Sequence, residues 1–173
     1  MKFSTAHTFQ VLEQTPTTLT ALLAHLPKEW IAANEGDDSW SAFDIVGHLI
    51  HGEKTDWIER LKIILFQADK HFEPFDRFAQ FENSKGKTMH ELLNEFKAIR
   101  NKNLEYLSSL NLNKEQLQQT GIHPEFGKVT LQQVLATWVT HDLGHLAQIS
   151  RVLAKQYKNE VGPWMAYIPI IQK

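Results

Sequence analysis

The sequence predicts an all-α protein, a four-helix bundle with a C-terminal tail that folds back onto it. Apolar residues recur every three or four positions in four long segments, and the strict alternation typical of strands is absent. Two of these segments open on capping boxes, Thr88 with Glu91 and Thr130 with Gln133, in which each partner satisfies a free backbone amide. Long amphipathic helices bury their apolar faces against one another, so an antiparallel four-helix arrangement is expected.

The four helices are expected near residues 16–26, 41–66, 88–110 and 131–157. Thr15 and Pro16 resemble a helix cap and first turn, where proline is well tolerated, although the apolar stripe continues toward the N-terminus. Ser41 is the expected cap of the second helix. The apolar tail at 162–169 is expected to pack on the bundle.

Length and composition indicate one domain over residues 1–173. An apolar content of 42% in 173 residues is enough for a substantial core. The net charge of −2 and the pI near 6.5 do not indicate the basic face that nucleic-acid binding needs. No segment resembles a signal peptide or the ~18-residue apolar run of a membrane span. The absence of cysteine excludes disulfides and thiolate ligands and fits a reducing, cytoplasmic location.

Two histidines in the last predicted helix indicate a metal site. His141 and His145 are four residues apart, so both rings can reach one point on the same helix face. The row that contains them also holds Val134, Trp138 and Val152, which places both rings inward. Burying two imidazoles is costly unless their nitrogens find partners, and a metal ion satisfies both. The alternative is an unmetallated core pair.

The third ligand is not determined by spacing. A catalytic zinc-type site generally uses three protein ligands and one open position. His48 lies in a short motif that recurs in the last helix, since Gly47-His48-Leu49 matches Gly144-His145-Leu146. The glycine of each copy lies inside a helix, which indicates close approach of a neighbouring group. The apolar stripe of the second helix nevertheless points away from His48. The competing candidates are His51, Glu53 and His123.

The chain resembles the DinB/YfiT-like family. The resemblance is carried by Trp40-Ser41, the Ile45–Leu49 segment, the segment from His123 to Thr130, the block from His141 to Ile149 and Gly162-Pro163-Trp164. This resemblance implies a four-helix bundle with a metal ion held by three histidines. It assigns the ligands to His48, His141 and His145.

The resemblance does not imply a single reaction, because the family includes metal-dependent hydrolases and transferases or isomerases that use bacillithiol or mycothiol. A small-molecule substrate is expected, and any thiol would have to be a low-molecular-weight cosubstrate because the chain has no cysteine. Zn or Ni is the expected divalent ion, with Fe, Mn or Cu as alternatives. The other interpretations are a non-catalytic metal-binding or stress-related protein and a homodimeric bundle whose histidines only pack. A di-iron site is disfavoured because the sequence has no Glu-x-x-His pair. A helical metalloprotease is disfavoured because no glutamate lies between His141 and His145.

Several other residues have a plain interpretation beside a functional one. Asp44 and Asp142 can each accept from an imidazole or form a surface salt bridge. Gln148 can line the cavity or bond across the bundle. The remaining expectations are core packing for Trp57 and Trp138, solvation for His51, His71 and His90, and solvation or guidance of an anionic substrate for Arg60 and Arg151.

Overall fold

The computed structural model describes residues 1–36 and 38–172, so Asp37 and Lys173 of the predicted domain lie outside it. The described helices are α1 (Thr5–Leu23), α2 (Lys28–Ala32), α3 (Ala42–Thr55), α4 (Trp57–Phe66), α5 (Ala79–Asn83), α6 (Met89–Ser109), α7 (Lys114–Leu117) and α8 (Leu131–Lys155). A hairpin of β1 (Thr120–His123) and β2 (Gly127–Thr130) precedes α8. The 3₁₀ helices Gly162–Tyr167 and Pro169–Ile171 follow it.

The long helices form the predicted four-helix bundle. Helix α1 packs between α6 and α8, and the α3–α4 segment packs between the same two helices. The first two long helical segments therefore occupy diagonal positions. The tail folds back as expected, because its last 3₁₀ turn lies against α8 and buries Ile171. Among the described residues, no helix is both long and apolar enough to cross a membrane.

The predicted helix caps are largely confirmed. Ser41, Thr88 and Thr130 each accept a hydrogen bond from the backbone amide three residues on and complete a capping box. The second predicted helix is interrupted at Asp56, whose backbone (φ −117°, ψ −74°) separates α3 from α4.

The hairpin was not predicted from the sequence. Its strands are four residues long, pair in register from Thr120–Thr130 to His123–Gly127, and show no clear alternation of apolar residues.

The predicted start of the first helix is wrong. Helix α1 begins after Ser4, which caps it, and Pro16 lies in its interior. An interior proline cannot donate to the carbonyl four residues earlier, here that of Leu12. The guanidinium of Arg100 donates to this Leu12 carbonyl at 2.9 Å instead. A side chain from α6 thus supplies the hydrogen bond that the proline removes.

The described core contains two apolar clusters with polar side chains between them. One cluster joins the N-terminal half of α3 to the C-terminal part of α8, through Ile45, Leu49, Ile149 and neighbours. The other joins α4 to the first turns of α8, through residues such as Leu61. The segments 48–56 and 141–145, which lie between these clusters, carry buried polar side chains. This arrangement places a polar layer across the middle of the bundle.

Candidate metal centre

Three imidazoles meet in this polar layer. His48 comes from α3, and His141 and His145 come from α8. The Nε2 atom of His141 lies 3.2 Å from that of His48 and 3.1 Å from that of His145. One ligand atom from each residue lies within 4.8 Å of the others. The two histidines that share a helix face and the histidine of the repeated motif are therefore brought together.

These separations fit a metal ion better than hydrogen bonds. Ligand nitrogens at the usual zinc distance of about 2.0–2.1 Å in a tetrahedral shell lie about 3.4 Å apart. The His141 Nε2 has two close nitrogen neighbours, but a neutral ring nitrogen has either one N–H or one in-plane lone pair. It cannot form two good hydrogen bonds at once. A cation between the three nitrogens removes this conflict.

The imidazoles are held in the form that can bind a metal. Burial, reinforced by the neighbouring His145, lowers the pKa of both His48 and His141 to about 3. Burial also lowers the pKa of His145, although the hydrogen bond that this ring donates to Gln148 raises it. All three rings are therefore neutral near pH 7, and a neutral imidazole has the free lone pair that coordination requires.

Gln148 fixes the orientation of one ring. Its Oε1 lies 2.8 Å from the Nδ1 of His145. An amide oxygen can only accept, so this Nδ1 carries the proton and the Nε2 presents its lone pair to the other two rings. Among the described residues, the buried Nδ1 atoms of His48 and His141 have no hydrogen-bond partner.

Aromatic side chains surround the three rings. The ring centroid of Trp40 lies 4.7 Å from that of His48. The Phe75 ring meets the His48 ring edge-on, with 5.4 Å between their centroids. Trp57 contacts His141 edge-on at 5.1 Å and stacks at 5.9 Å on Trp138. Core packing is thus confirmed for both tryptophans, and Trp57 in addition borders the site. A cleft of about 380 Å³ opens over the rings between these aromatic residues.

The same cleft carries a buried acid and two arginines. Asp56 lies at the break between α3 and α4 and is paired with Arg60. Burial raises the pKa of Asp56 to about 6, although the charge of Arg60 opposes this shift. Arg77 lines the cleft from the segment before α5. Arg60 is largely buried, with 13% of its side chain exposed, so the expectation that it is solvated is wrong.

A buried ionic network lies directly behind the imidazoles. Arg100 donates to Asp142 at 2.6 and 3.1 Å and to Glu53 at 2.8 Å, and all three side chains are fully buried. Glu53 also accepts from Trp138 at 2.9 Å, and Asp142 accepts from Thr15 at 2.6 Å. Asp142 is thus neither an imidazole acceptor nor part of a surface salt bridge. The sequence had a signal that was missed, since Asp142 lies on the core side of α8.

The other candidates lie outside the three-histidine group. Glu53 belongs to the ionic network, and His123 lies in the hairpin, where its Nδ1 accepts from the Glu125 amide at 3.1 Å. His51 is 8% exposed, so its expected solvation is wrong, whereas His71 and His90 are exposed as expected. Asp44 completes the cap at Ser41, and Arg151 pairs with Glu35.

The two glycines of the repeated motif differ in their surroundings. A Cβ on Gly47 would lie 2.4 Å from the Ser84 Oγ and 3.3 Å from the Gln80 Cβ, so the predicted close approach is confirmed there. A Cβ on Gly144 would meet no described atom within 4 Å outside its own stretch of helix, so the same expectation is wrong for Gly144.

Comparisons with known proteins agree with this fold. A solved structure described as "YfiT from Bacillus subtilis is a probable metal-dependent hydrolase with an unusual four-helix bundle topology" matches with a TM-score of 0.76 and 22% identity, over 93% of this chain and 91% of that chain. At this identity the likeness shows the fold alone. A search of curated proteins found no match. The family model described as the DinB superfamily matches residues 11–149, and the chain therefore belongs to the DinB superfamily.

Proposed function

We propose that this protein is a metal-dependent enzyme whose divalent ion is held by the Nε2 atoms of His48, His141 and His145. The observation that carries the proposal is the convergence of three neutral imidazoles, of which His48 is buried and the other two are half-buried, with the His141 Nε2 at 3.1–3.2 Å from the Nε2 atoms of the other two. Three protein ligands leave a coordination position open to a water or substrate atom, which distinguishes a catalytic site from a closed structural one.

The surrounding residues support chemistry at this position. A bound divalent ion would lower the pKa of a water or thiol and polarise a substrate carbonyl. Trp40 and Phe75 pack against the His48 ring and give the cleft apolar walls. Gln148 holds His145 in the ligating tautomer. Asp56, with its pKa near 6, can take up or release a proton in the cleft close to neutral pH.

Hydrolysis is the favoured reaction class, and transfer of a small thiol is the alternative. The similar Bacillus subtilis protein is described as a probable metal-dependent hydrolase, which supports hydrolysis. A thiol would have to come from a small-molecule cosubstrate, since the chain has no cysteine. Zn or Ni is the proposed ion, because three imidazoles suit both, and Fe, Mn or Cu are alternatives. A non-catalytic or stress-related role, a homodimer and a cytoplasmic location stay predictions.

Metal analysis of protein purified without an affinity tag tests the proposal. Elemental analysis should find about one divalent ion per chain, since one three-ligand group is proposed. Each of the single substitutions His48→Ala, His141→Ala and His145→Ala should remove the bound ion while the helical circular dichroism is retained. His90→Ala is the matched control, because His90 is exposed on α6 and should not alter metal content. Full metal content in any of the three variants would contradict the ligand assignment, and a fourth protein ligand would indicate a structural metal.

A further inference from the structure

The charges of the buried ionic network behind the imidazoles do not cancel. The side chains of Glu53, Arg100 and Asp142 have no exposed surface. A guanidinium stays protonated in proteins, so Arg100 contributes one positive charge. Asp142 accepts two parallel hydrogen bonds from Arg100, which is the geometry of an ionised carboxylate paired with a guanidinium. Glu53 is the third charged group and has no cation of its own.

The hydrogen bonds around Glu53 indicate that its carboxyl group is ionised as well. Its Oε1 accepts from Arg100 at 2.8 Å and from the Trp138 indole at 2.9 Å. Its Oε2 accepts from the side-chain amide of Asn103 at 2.9 Å. A protonated carboxyl group would need an acceptor for its O–H, but all three partners are donors. The network therefore holds one negative charge more than it holds positive charge.

The other charges of the polar layer do not cancel this surplus. Apart from the histidines, the buried ionisable side chains of the described residues are the three of the network and Asp56, which is paired with Arg60. Burial lowers the pKa of His51, so this ring is neutral near pH 7. Arg77 lines the cleft but is exposed, so solvent screens its charge. A buried charge without a counterion is costly to the folded protein.

The surplus charge lies close to the proposed metal ligands. Glu53 follows His48 by five residues on α3, which is about 7.5 Å along the helix axis. Trp138, which donates to Glu53, stacks at 5.9 Å on Trp57, and the Trp57 ring meets His141 at 5.1 Å. Both indoles are buried. The interaction between the carboxylate and a cation at the imidazoles therefore passes through a medium of low dielectric constant, where it is weakly screened.

We propose that Glu53 supplies the buried countercharge of the divalent ion. This inference rests on the metal site proposed above and adds a residue that acts on the ion through space, without being a ligand. Three neutral imidazoles leave a divalent ion with its full charge. The surplus carboxylate stabilises that charge, and the ion in turn offsets the cost of burying the carboxylate.

The affinity of Glu53 variants for Zn²⁺ tests this role, measured by competition with a coloured chelator. Glu53→Gln removes the charge and keeps the shape of the side chain. Glu53→Asp keeps the charge but shortens the reach toward Arg100 and Trp138. Glu105→Gln is the matched control, because Glu105 is exposed on α6. Circular dichroism and urea denaturation of the chelator-treated samples report the fold of each variant without metal.

We expect Glu53→Gln to weaken zinc binding about 10- to 100-fold, the range typical of groups that act behind metal ligands. Glu53→Asp should lower the urea midpoint of the metal-free protein, because its hydrogen bonds are strained, yet it should bind zinc almost as wild type does. Glu105→Gln should bind zinc as wild type. Asp142→Asn removes the same unit of charge and should also weaken zinc binding, which provides a second variant if Glu53→Gln does not fold.

The proposal is wrong if Glu53→Gln binds zinc as tightly as wild type. It is also wrong if Glu53→Asp loses as much affinity as Glu53→Gln, because the shape of the network would then matter and not its charge. Failure of both Glu53→Gln and Asp142→Asn to fold without zinc would contradict it too, since removing a surplus buried charge should not unfold the protein. An unaffected Glu53→Gln beside a zinc-binding wild type leaves the metal-site proposal intact, whereas a wild type that binds no zinc contradicts the metal site and this inference with it.

Discussion

Replacing Arg100 with methionine should destabilise the protein strongly and in a pH-dependent way. The guanidinium makes four hydrogen bonds at 2.6–3.1 Å, two to Asp142, one to Glu53 and one to the Leu12 carbonyl. Burial lowers the pKa of Arg100, but the two carboxylates outweigh burial and raise it overall. Methionine keeps much of the side-chain volume and removes the charge. Two buried carboxylates would then share one site without a cation.

The magnitude follows from the proton that such a site must take up. Breaking a buried ion pair typically costs about 3–5 kcal/mol. Protonating one carboxyl group with an ordinary pKa near 4 costs about 4 kcal/mol at pH 7, and this cost falls by about 1.4 kcal/mol per pH unit. We therefore expect a loss of about 4 kcal/mol at pH 7 and of about 1–2 kcal/mol at pH 5.

Urea denaturation at pH 5, 6 and 7 measures this loss, with a chelator present so that bound metal does not contribute. Adding Asp142→Asn to Arg100→Met should restore part of the stability, because it removes one of the two carboxylates. Lys97→Met, at an exposed position of α6, is the control and should change stability by less than about 0.5 kcal/mol. A loss below about 1 kcal/mol at pH 7, or one independent of pH, would refute the reasoning.

Three further predictions concern the site. Gly47→Ala should destabilise the protein because the new methyl group meets Ser84, whereas Gly144→Ala should stabilise it by up to about 1 kcal/mol through helix propensity, as urea denaturation of the pair would reveal. In metal-free protein His48 and His141 stay neutral in the folded state down to about pH 3 but take up protons when unfolded below about pH 6.5. Stability should therefore fall between pH 7 and pH 5, by about 2 kcal/mol per imidazole, and His141→Gln should reduce this pH dependence; an equal dependence in both proteins would contradict the burial argument. Gln148→Ala should weaken metal affinity about 10- to 100-fold in a competition assay with a coloured chelator, because the His145 tautomer is no longer fixed; unchanged affinity would exclude this role.

The helices were predictable where their signals are local. The caps at Thr88 and Thr130 depend on a side chain and an amide three residues apart, so both starts were correct from sequence. Pro16 was wrongly predicted to begin the first helix. Its place inside α1 depends on the hydrogen bond from Arg100 to the Leu12 carbonyl, and these two residues are 88 positions apart in the chain. The hairpin was missed because its strands are short and lack an alternating apolar pattern.

The sequence by itself determined the helical class, which follows from the apolar period of four segments, and the pairing of His141 with His145, which follows from the period of one helix. Spacing alone did not determine which residue meets them, since His48, His51 and Glu53 lie on one helix and differ mainly in direction, and His48 was assigned only through the family resemblance. Only the tertiary structure brought the His48 ring to the pair and Glu53 to Arg100. The physical reason is that the facing of α3 depends on how two apolar clusters pack around the polar layer between them, and this packing joins residues distant in sequence.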